Sequence, residues 1–413
     1  MEQTIGAAFL ALLVGVTALR LWLARRQIRH VRAHRDALPP AFVGTIPPAA
    51  HRRAADYTVA RTRLAAFETV VQAALVAALT VGGALALLWA AWSRLFAPGG
   101  LAHDLAFATS AFALVAAAEL PFSAWRVFAI EERFGFNRTS VRLFFADLAK
   151  GAALAALLAL PLLALALALA RSGEPLWWLW AWTAWAAFNV ALAFAYPVLI
   201  APLFNRFSPL ADAALAERIA ALLARCGLRS ERVLVMDGSR RSSHGNAFFA
   251  GLGRSRRVVL FDTLLVHLSA DEVEAVLAHE LGHDRLGHVR RRLALALAAS
   301  LALAWALDQA VRSPAFAAGL GVPQGGEAAG FVLFLLAAPY ALAVLAPLAS
   351  AVSRRHEYEA DAFAAAHADK RALARALVKL YRDNAATLTP DPLHSAVYDS
   401  HPPALARLAR LAA

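Results

Sequence analysis

The chain reads as a mainly α, polytopic membrane protein, with seven transmembrane helices and a small cytoplasmic α+β unit. Three observations predict this. Apolar residues make up 60% of the 413, where a soluble domain would be nearer half. Seven stretches are long and apolar enough to cross a bilayer, which takes ~20 residues. Between the fifth and sixth lies a polar segment in which helical spacing alternates with short β-branched runs.

The spans are Ile5–Ala24, Leu64–Trp92, Leu105–Ile130, Leu148–Ala170, Leu176–Phe204, Leu293–Val311 and Ala328–Val352. No basic region precedes the first, and Arg25-Arg26 follow it directly, the pattern of a reversed signal anchor and not of a cleavable signal peptide. Arginines crowd the segments after spans 1, 3 and 5, from Arg25 to Arg63, at Arg133, Arg138 and Arg142, and from Arg206 through Arg229, Arg232, Arg254 and Arg256 to Arg257. The connections after spans 2, 4 and 6 hold almost only Arg94, Arg171 and Arg312. The positive-inside rule therefore puts the basic loops in the cytoplasm and the N-terminus outside. It also accounts for the net charge of +12 with no nucleic-acid partner. Of 41 basic residues only Lys150, Lys370 and Lys379 are lysines. Such arginine- and alanine-rich usage suggests a GC-rich bacterial genome, hence a bacterial inner membrane. The lone Cys226 excludes an intramolecular disulfide and a cysteine-type zinc site.

The chain then divides into a membrane region of five helices (1–204), a cytoplasmic catalytic unit (205–292), two further helices (293–352) and a C-terminal cytoplasmic segment (353–413). In the catalytic unit, Ser208-Pro209 opens a helix with Leu215, Ile219, Leu222, Leu223 and Cys226 on one stripe, closed by Gly227. Val233–Met236 and Val258–Phe261 are short strands. Ser269 with Glu272 forms the capping-box pattern that starts a helix. Val273, Val276, Leu277 and Leu281 give that helix its buried face.

On this last helix stands His279-Glu280-Leu281-Gly282-His283. Residues four apart share a helix face, so both imidazoles can reach one Zn²⁺ while Glu280 sits beside the attacking water. Such a site needs a third protein ligand. Spans 6 and 7 return the chain to the same side, so the ligand is expected after about Ser353. Glu357 and Asp361 there share a face. One can bind zinc while the other holds a ligand imidazole by its second nitrogen, whereas Glu359 points elsewhere. His288, five residues past His283, falls off the ligand face and reads as structural or surface. Glu68 and Glu119 lie within or at the edge of spans 2 and 3, where a carboxylate is functional or bonds a neighbouring helix. His244 either approaches the site or serves a turn.

His279–His283 together with Ser353-Arg354-Arg355-His356-Glu357-Tyr358-Glu359-Ala360-Asp361 resembles the type I CAAX prenyl proteases, seven-span membrane zinc metallopeptidases. Ile130–Asn137, Ala201–Asn205, Ser242–Phe249, Val259–Leu264 and Ser400-His401-Pro402-Pro403 with Arg407 are similar to further motifs of that family, in the same order. Asp284 departs from the pattern, standing where an aromatic residue is expected. The resemblance implies Glu357 as third ligand, Asp361 as the acid behind a ligand, Glu280 as general base, and His401 and Arg407 near the reacting carbonyl. It places Asn246, Ala247 and Phe248 on a substrate-binding β edge, and implies a large water-filled chamber enclosed by the spans. The expected function is zinc-dependent peptide hydrolysis at the lipid bilayer, on a peptide or protein substrate that can carry a lipid.

Three other readings share some of these features. A general membrane quality-control metalloprotease would use the same residues. A transporter or receptor with a vestigial zinc site would not need every position filled. An intramembrane protease of the site-2 type would bury its motif in a span, which Asp284, Arg285, Arg290 and Arg291 forbid here.

Overall fold

The computed structural model describes residues 1–227, 233–250 and 257–412. Arg229, Arg232, Arg254 and Arg256 lie outside the described residues. Among the described residues are seven helices long and apolar enough to cross a membrane: Glu2–Ala33, Pro48–Leu79, Leu101–Glu131, Val141–Ala170, Trp177–Phe204, His288–Val311 and Gly326–His367. Each overlaps one expected span. Most begin or end beyond the apolar stretch, because alanine- and arginine-rich flanks are good helix formers and lipid need not cover them. Their outward faces are apolar and exposed, as at Leu157, Trp180 and Leu199, which lipid tolerates and water would not.

The second span differs most from expectation. Its helix starts early, at Pro48, where a proline's missing N–H costs nothing at the first helical position. It stops at Leu79, not Trp92. Gly83 takes φ +78°, Thr80 Oγ1 donates back to the Val76 carbonyl at 2.6 Å, and a separate short helix, Ala84–Trp92, follows. Within span 2, Glu68 pairs with Arg126 of span 3 at 3.0 Å. Gln72 donates to Glu119 of span 3. Both intramembrane carboxylates are thus satisfied by helix–helix contacts.

The segment between the fifth and sixth spans is built on a four-stranded sheet, β1 (Phe207–Pro209), β2 (Val233–Met236), β3 (Ala247–Ala250) and β4 (Arg257–Phe261), in the order β1-β2-β4-β3. β2 and β4 are parallel, and β3 runs antiparallel to β4 with Ala247 opposite Leu260. Ser208-Pro209 is therefore strand and does not open the helix. That helix begins after Asp212, whose carboxylate accepts from the Leu215 N–H at 3.0 Å, and runs Ala213–Arg225. Alternation along β4 sends Val258 and Leu260 into the main core with Ile219, Leu222, Leu277 and Leu373. Val259 faces the other side with Met236.

The motif helix, Ala270–Arg285, carries the expected capping box. It crosses Ala346–His367, the C-terminal part of the seventh span. Gly282 marks the closest approach. A Cβ built on it would lie 3.0 Å from Ala360 Cα and 3.2 Å from the Ala360 carbonyl oxygen, backbone atoms that cannot swing aside. Gly282→Ala should push the helices apart, costing about 1–3 kcal/mol. A lowered Tm together with loss of bound zinc in purified protein would show it; wild-type values for both would contradict it.

Candidate active site

The crossing at Gly282 brings Glu357 against both histidines. Glu357 Oε2 lies 3.4 Å from His279 Nε2, and Oε1 lies 3.2 Å from His283 Nε2. Ligand atoms from all three residues fall within 4.8 Å of one another. Two donors held about 2.0–2.1 Å from a tetrahedral metal are about 3.4 Å apart. The spacing fits. So does the donor set, two imidazoles and a carboxylate. Glu357 Oε2 is buried and, although 2.7 Å from His401 Nδ1, has no well-aligned hydrogen bond, as expected of an oxygen meant for a cation.

Behind this triad stands Asp361, one turn on from Glu357. Its Oδ1 lies 2.8 Å from His279 Nδ1, so that ring carries its proton on Nδ1 and turns the Nε2 lone pair toward the ligand cluster. Asp361 is held in turn by a two-pronged pair with Arg407, at 2.8 and 2.6 Å. Burial disfavours a charged His279, but Asp361 and Glu357 prevail and raise its pKa to about 9. Arg407, expected near the reacting carbonyl, is buried, and its closest ties are to Asp361; its Nη1 lies 3.8 Å from Glu357 Oε2. His401 is 62% exposed beside Glu357.

The cluster opens on a cavity of about 620 Å³ lined by His279, Glu280, Glu357, His401, Arg407 and the stretch Gly245–Ala247. Burial lifts the Glu280 carboxyl above its ordinary range, against the pull of the neighbouring imidazoles. A second cavity of about 950 Å³ lies among spans 1, 2 and 3 and the C-terminal segment. The two share Arg61, Asn384, Ala386, Thr387, Tyr398 and Asp399, so the site adjoins a larger internal space.

β3 forms one edge of the sheet and runs past the cavity. Asn246 fixes its start: the side-chain oxygen accepts from the Ala247 N–H at 2.8 Å and the backbone carbonyl from Phe261 N–H at 3.0 Å. Phe248 does not point into the cavity. It packs on the far face of the sheet with Met236, Val259 and Phe261, because strand alternation turns it opposite to Ala247.

Several residues at the site were not anticipated. Asn384 accepts from the Gly245 N–H and meets His244 Nδ1, both at 3.2 Å, so His244 stands in the wall of the second cavity, stacked on Phe136. Arg354 donates to the carbonyls of Ser395, Ala396 and Asp399, and Tyr381 to that of Pro402; together they hold the loop bearing His401. His288 is fully buried and touches His283. Helical spacing excluded it only on the assumption of one continuous helix. Gly287, at φ +73°, ends that helix and His288 starts the next. Glu359, expected to point elsewhere, meets His288 at 2.9 Å.

With this geometry in view, comparison with known proteins is decisive. Residues 27–206 match the family described as CAAX prenyl protease N-terminal, five membrane helices, and residues 209–413 match peptidase family M48. The CAAX prenyl protease 1 homolog of Oryza sativa subsp. japonica is 32% identical, over 92% of this chain and 92% of its own. The chain belongs to the CAAX prenyl protease family. CAAX prenyl protease 1 of Saccharomyces cerevisiae is 34% identical over 75% of this chain and 72% of its own. The crystal structure of S. mikatae Ste24p superimposes with a TM-score of 0.91 at 28% identity, covering 98% of this chain and 99% of that one. Family membership makes the protein a multi-pass membrane metallopeptidase.

If Asp361 holds His279, its charge should matter to the metal. Asp361→Asn keeps an acceptor near the ring but loses the negative charge, and should weaken zinc affinity about 10–100-fold. Chelator competition on the purified variant checks this; an unchanged affinity would remove Asp361 from the site's electrostatics.

Proposed function

We propose that the protein is a zinc endopeptidase that hydrolyses an extended peptide laid along the free edge of β3. The observation that carries this reading is the convergence of His279, His283 and Glu357 on one point, with Glu280 facing the same cavity as the β3 edge. A zinc ion held by these three residues would polarise the scissile carbonyl and lower the pKa of the attacking water toward ~7. Glu280, which lines the same cavity, would take the proton from that water and deliver it to the leaving amine. His401 stands close enough to the ligand cluster to offset charge on the tetrahedral oxygen. Arg407 contributes mainly through Asp361, whose charge it fixes.

The edge strand supplies the substrate grip. Unpaired strand N–H and C=O groups can bind any peptide backbone irrespective of its side chains, and Ala247 adds a small side chain that leaves room. Asn246 sets the position of that edge, while Phe248 contributes backbone only. The substrate class suggested by the relatives' names is a prenylated protein C-terminus. The larger adjoining cavity offers space for a chain delivered from the membrane side. The arginine-rich loops support a cytoplasmic site, and the arginine-over-lysine composition a bacterial inner membrane.

Two measurements test the reading. Glu280→Gln should abolish peptide cleavage while keeping a full zinc equivalent, whereas His279→Ala should lose both; near-wild-type turnover in purified Glu280→Gln protein would sink the mechanism. Reporter fusions near Arg32, Arg240 and Ala413 should read as cytoplasmic, and those near Gly99 and Gly321 as external. Swapped readings would reverse the orientation.

A further inference from the structure

The two imidazole ligands are supported in unlike ways. His279 leans on a buried carboxylate, Asp361. His283 has its Nε2 toward Glu357, so its ring proton sits on Nδ1, and that atom lies 3.0 Å from His288 Nδ1. Two ring nitrogens at this distance share a hydrogen bond only if one has the proton and the other a lone pair. His283 Nδ1 donates, so His288 Nδ1 accepts, and the proton of His288 is on Nε2. That nitrogen is 2.9 Å from Glu359 Oε2. Glu359 Oε1 in turn accepts from Arg355 Nε at 2.9 Å. A directed chain runs from the ligand ring to the surface: His283 to His288 to Glu359, with Arg355 closing it.

We propose that His288 and Glu359 are positioning residues for the metal, fixing the tautomer and plane of His283 as Asp361 fixes His279. This rests on reading His283 as a metal ligand. His288 suits the task. It is fully buried, so no water competes for its nitrogens, and its ring is stacked on His356 with centroids 4.1 Å apart and planes 10° apart.

A rival reading is a second metal site, since His288, His356 and Glu359 also bring ligand atoms within 4.8 Å of one another, and His356 Nδ1 is buried with no partner. Two observations count against it. The lone pair of each imidazole lies in its ring plane, and nearly parallel stacked planes do not converge on one ion. Proton counting is the second. A metal on His288 Nε2 would force its proton onto Nδ1, facing the Nδ1 proton of His283 at 3.0 Å, so filling one site would expel the metal from the other.

The test uses the purified full-length protein in detergent, measuring zinc stoichiometry, zinc affinity by chelator competition, and Tm. His288→Phe keeps a ring to stack on His356 but cannot accept the His283 proton, and should weaken zinc affinity about 10–100-fold. His288→Asn places an acceptor oxygen near the former Nδ1 and should restore most of that loss. Glu359→Ala should lower affinity in the same direction by less. A merely structural role would lower Tm in both His288 variants without separating their affinities, and would overturn the proposal. So would a second zinc equivalent in the wild type that disappears in His356→Ala. If the wild type holds one zinc that His279→Ala loses, yet His288→Phe binds it normally, the positioning chain fails and the metallopeptidase reading stands. If the wild type binds no zinc, the reading of the site fails first.

Discussion

Everything at the site depends on how closely two helices can approach. The motif helix brings two imidazoles, and neither can hold a metal alone. The third donor comes from a helix about 75 residues further along the chain. Where the two cross, Gly282 leaves no side chain between them, and the backbone of Ala360 lies directly against it. Glu357 and Asp361 flank Ala360, one about a turn before and one beside it, so contact at this point puts one carboxylate on the metal side and the other behind His279. Side-chain chemistry at the site is thus set by a backbone distance.

That approach concentrates charge. Glu357, Asp361 and Arg407 are all buried, which would be costly for any of them singly. The pairing of Arg407 with Asp361 neutralises one carboxylate, and the metal that Glu357 is placed to bind would neutralise the other. Arg407 sits on the short helix Ala404–Ala412 near the end of the described chain, held in place through the loop that Arg354 and Tyr381 anchor. The helix Ala404–Ala412 therefore belongs to the candidate site as much as the motif does.

Much of this was legible in the sequence, and the reasons are physical. Spans declare themselves because lipid demands long apolar runs, and the histidine motif does so because helical spacing leaves its two rings no other arrangement. Periodicity left Glu357 and Asp361 open, and the resemblance singled out Glu357, which the structure brings against both histidines. What escaped lay at breaks in regular structure. Span 2 was placed too far along because Gly82-Gly83 interrupts an apolar run without making it less apolar. Ser208-Pro209 looked like a helix start because strand pairing with β2 is invisible locally. His288 was set aside by counting along a helix that Gly287 had already ended, and Glu359 because helical spacing turns it from the face that Glu357 and Asp361 share. Phe248 stands on the expected strand, but its side chain turns away from the cavity, to the face of Met236 and Val259.

The helix carrying Glu357 is also the end of the seventh span, which runs from Gly326 to His367. A tight 3₁₀ turn at Ala343–Leu345 joins its two helical parts, and at about 1.5 Å per residue they measure about 60 Å along the chain, roughly twice the thickness of a hydrocarbon core. The apolar first part and the part that carries Glu357 belong to one span, so lipid packed around the first would set the height of the carboxylate on the second. The span would then act as a gauge standing on the bilayer. For a substrate anchored in the same membrane, the length of chain between its anchor and the cleavage point would become a criterion of selection independent of sequence.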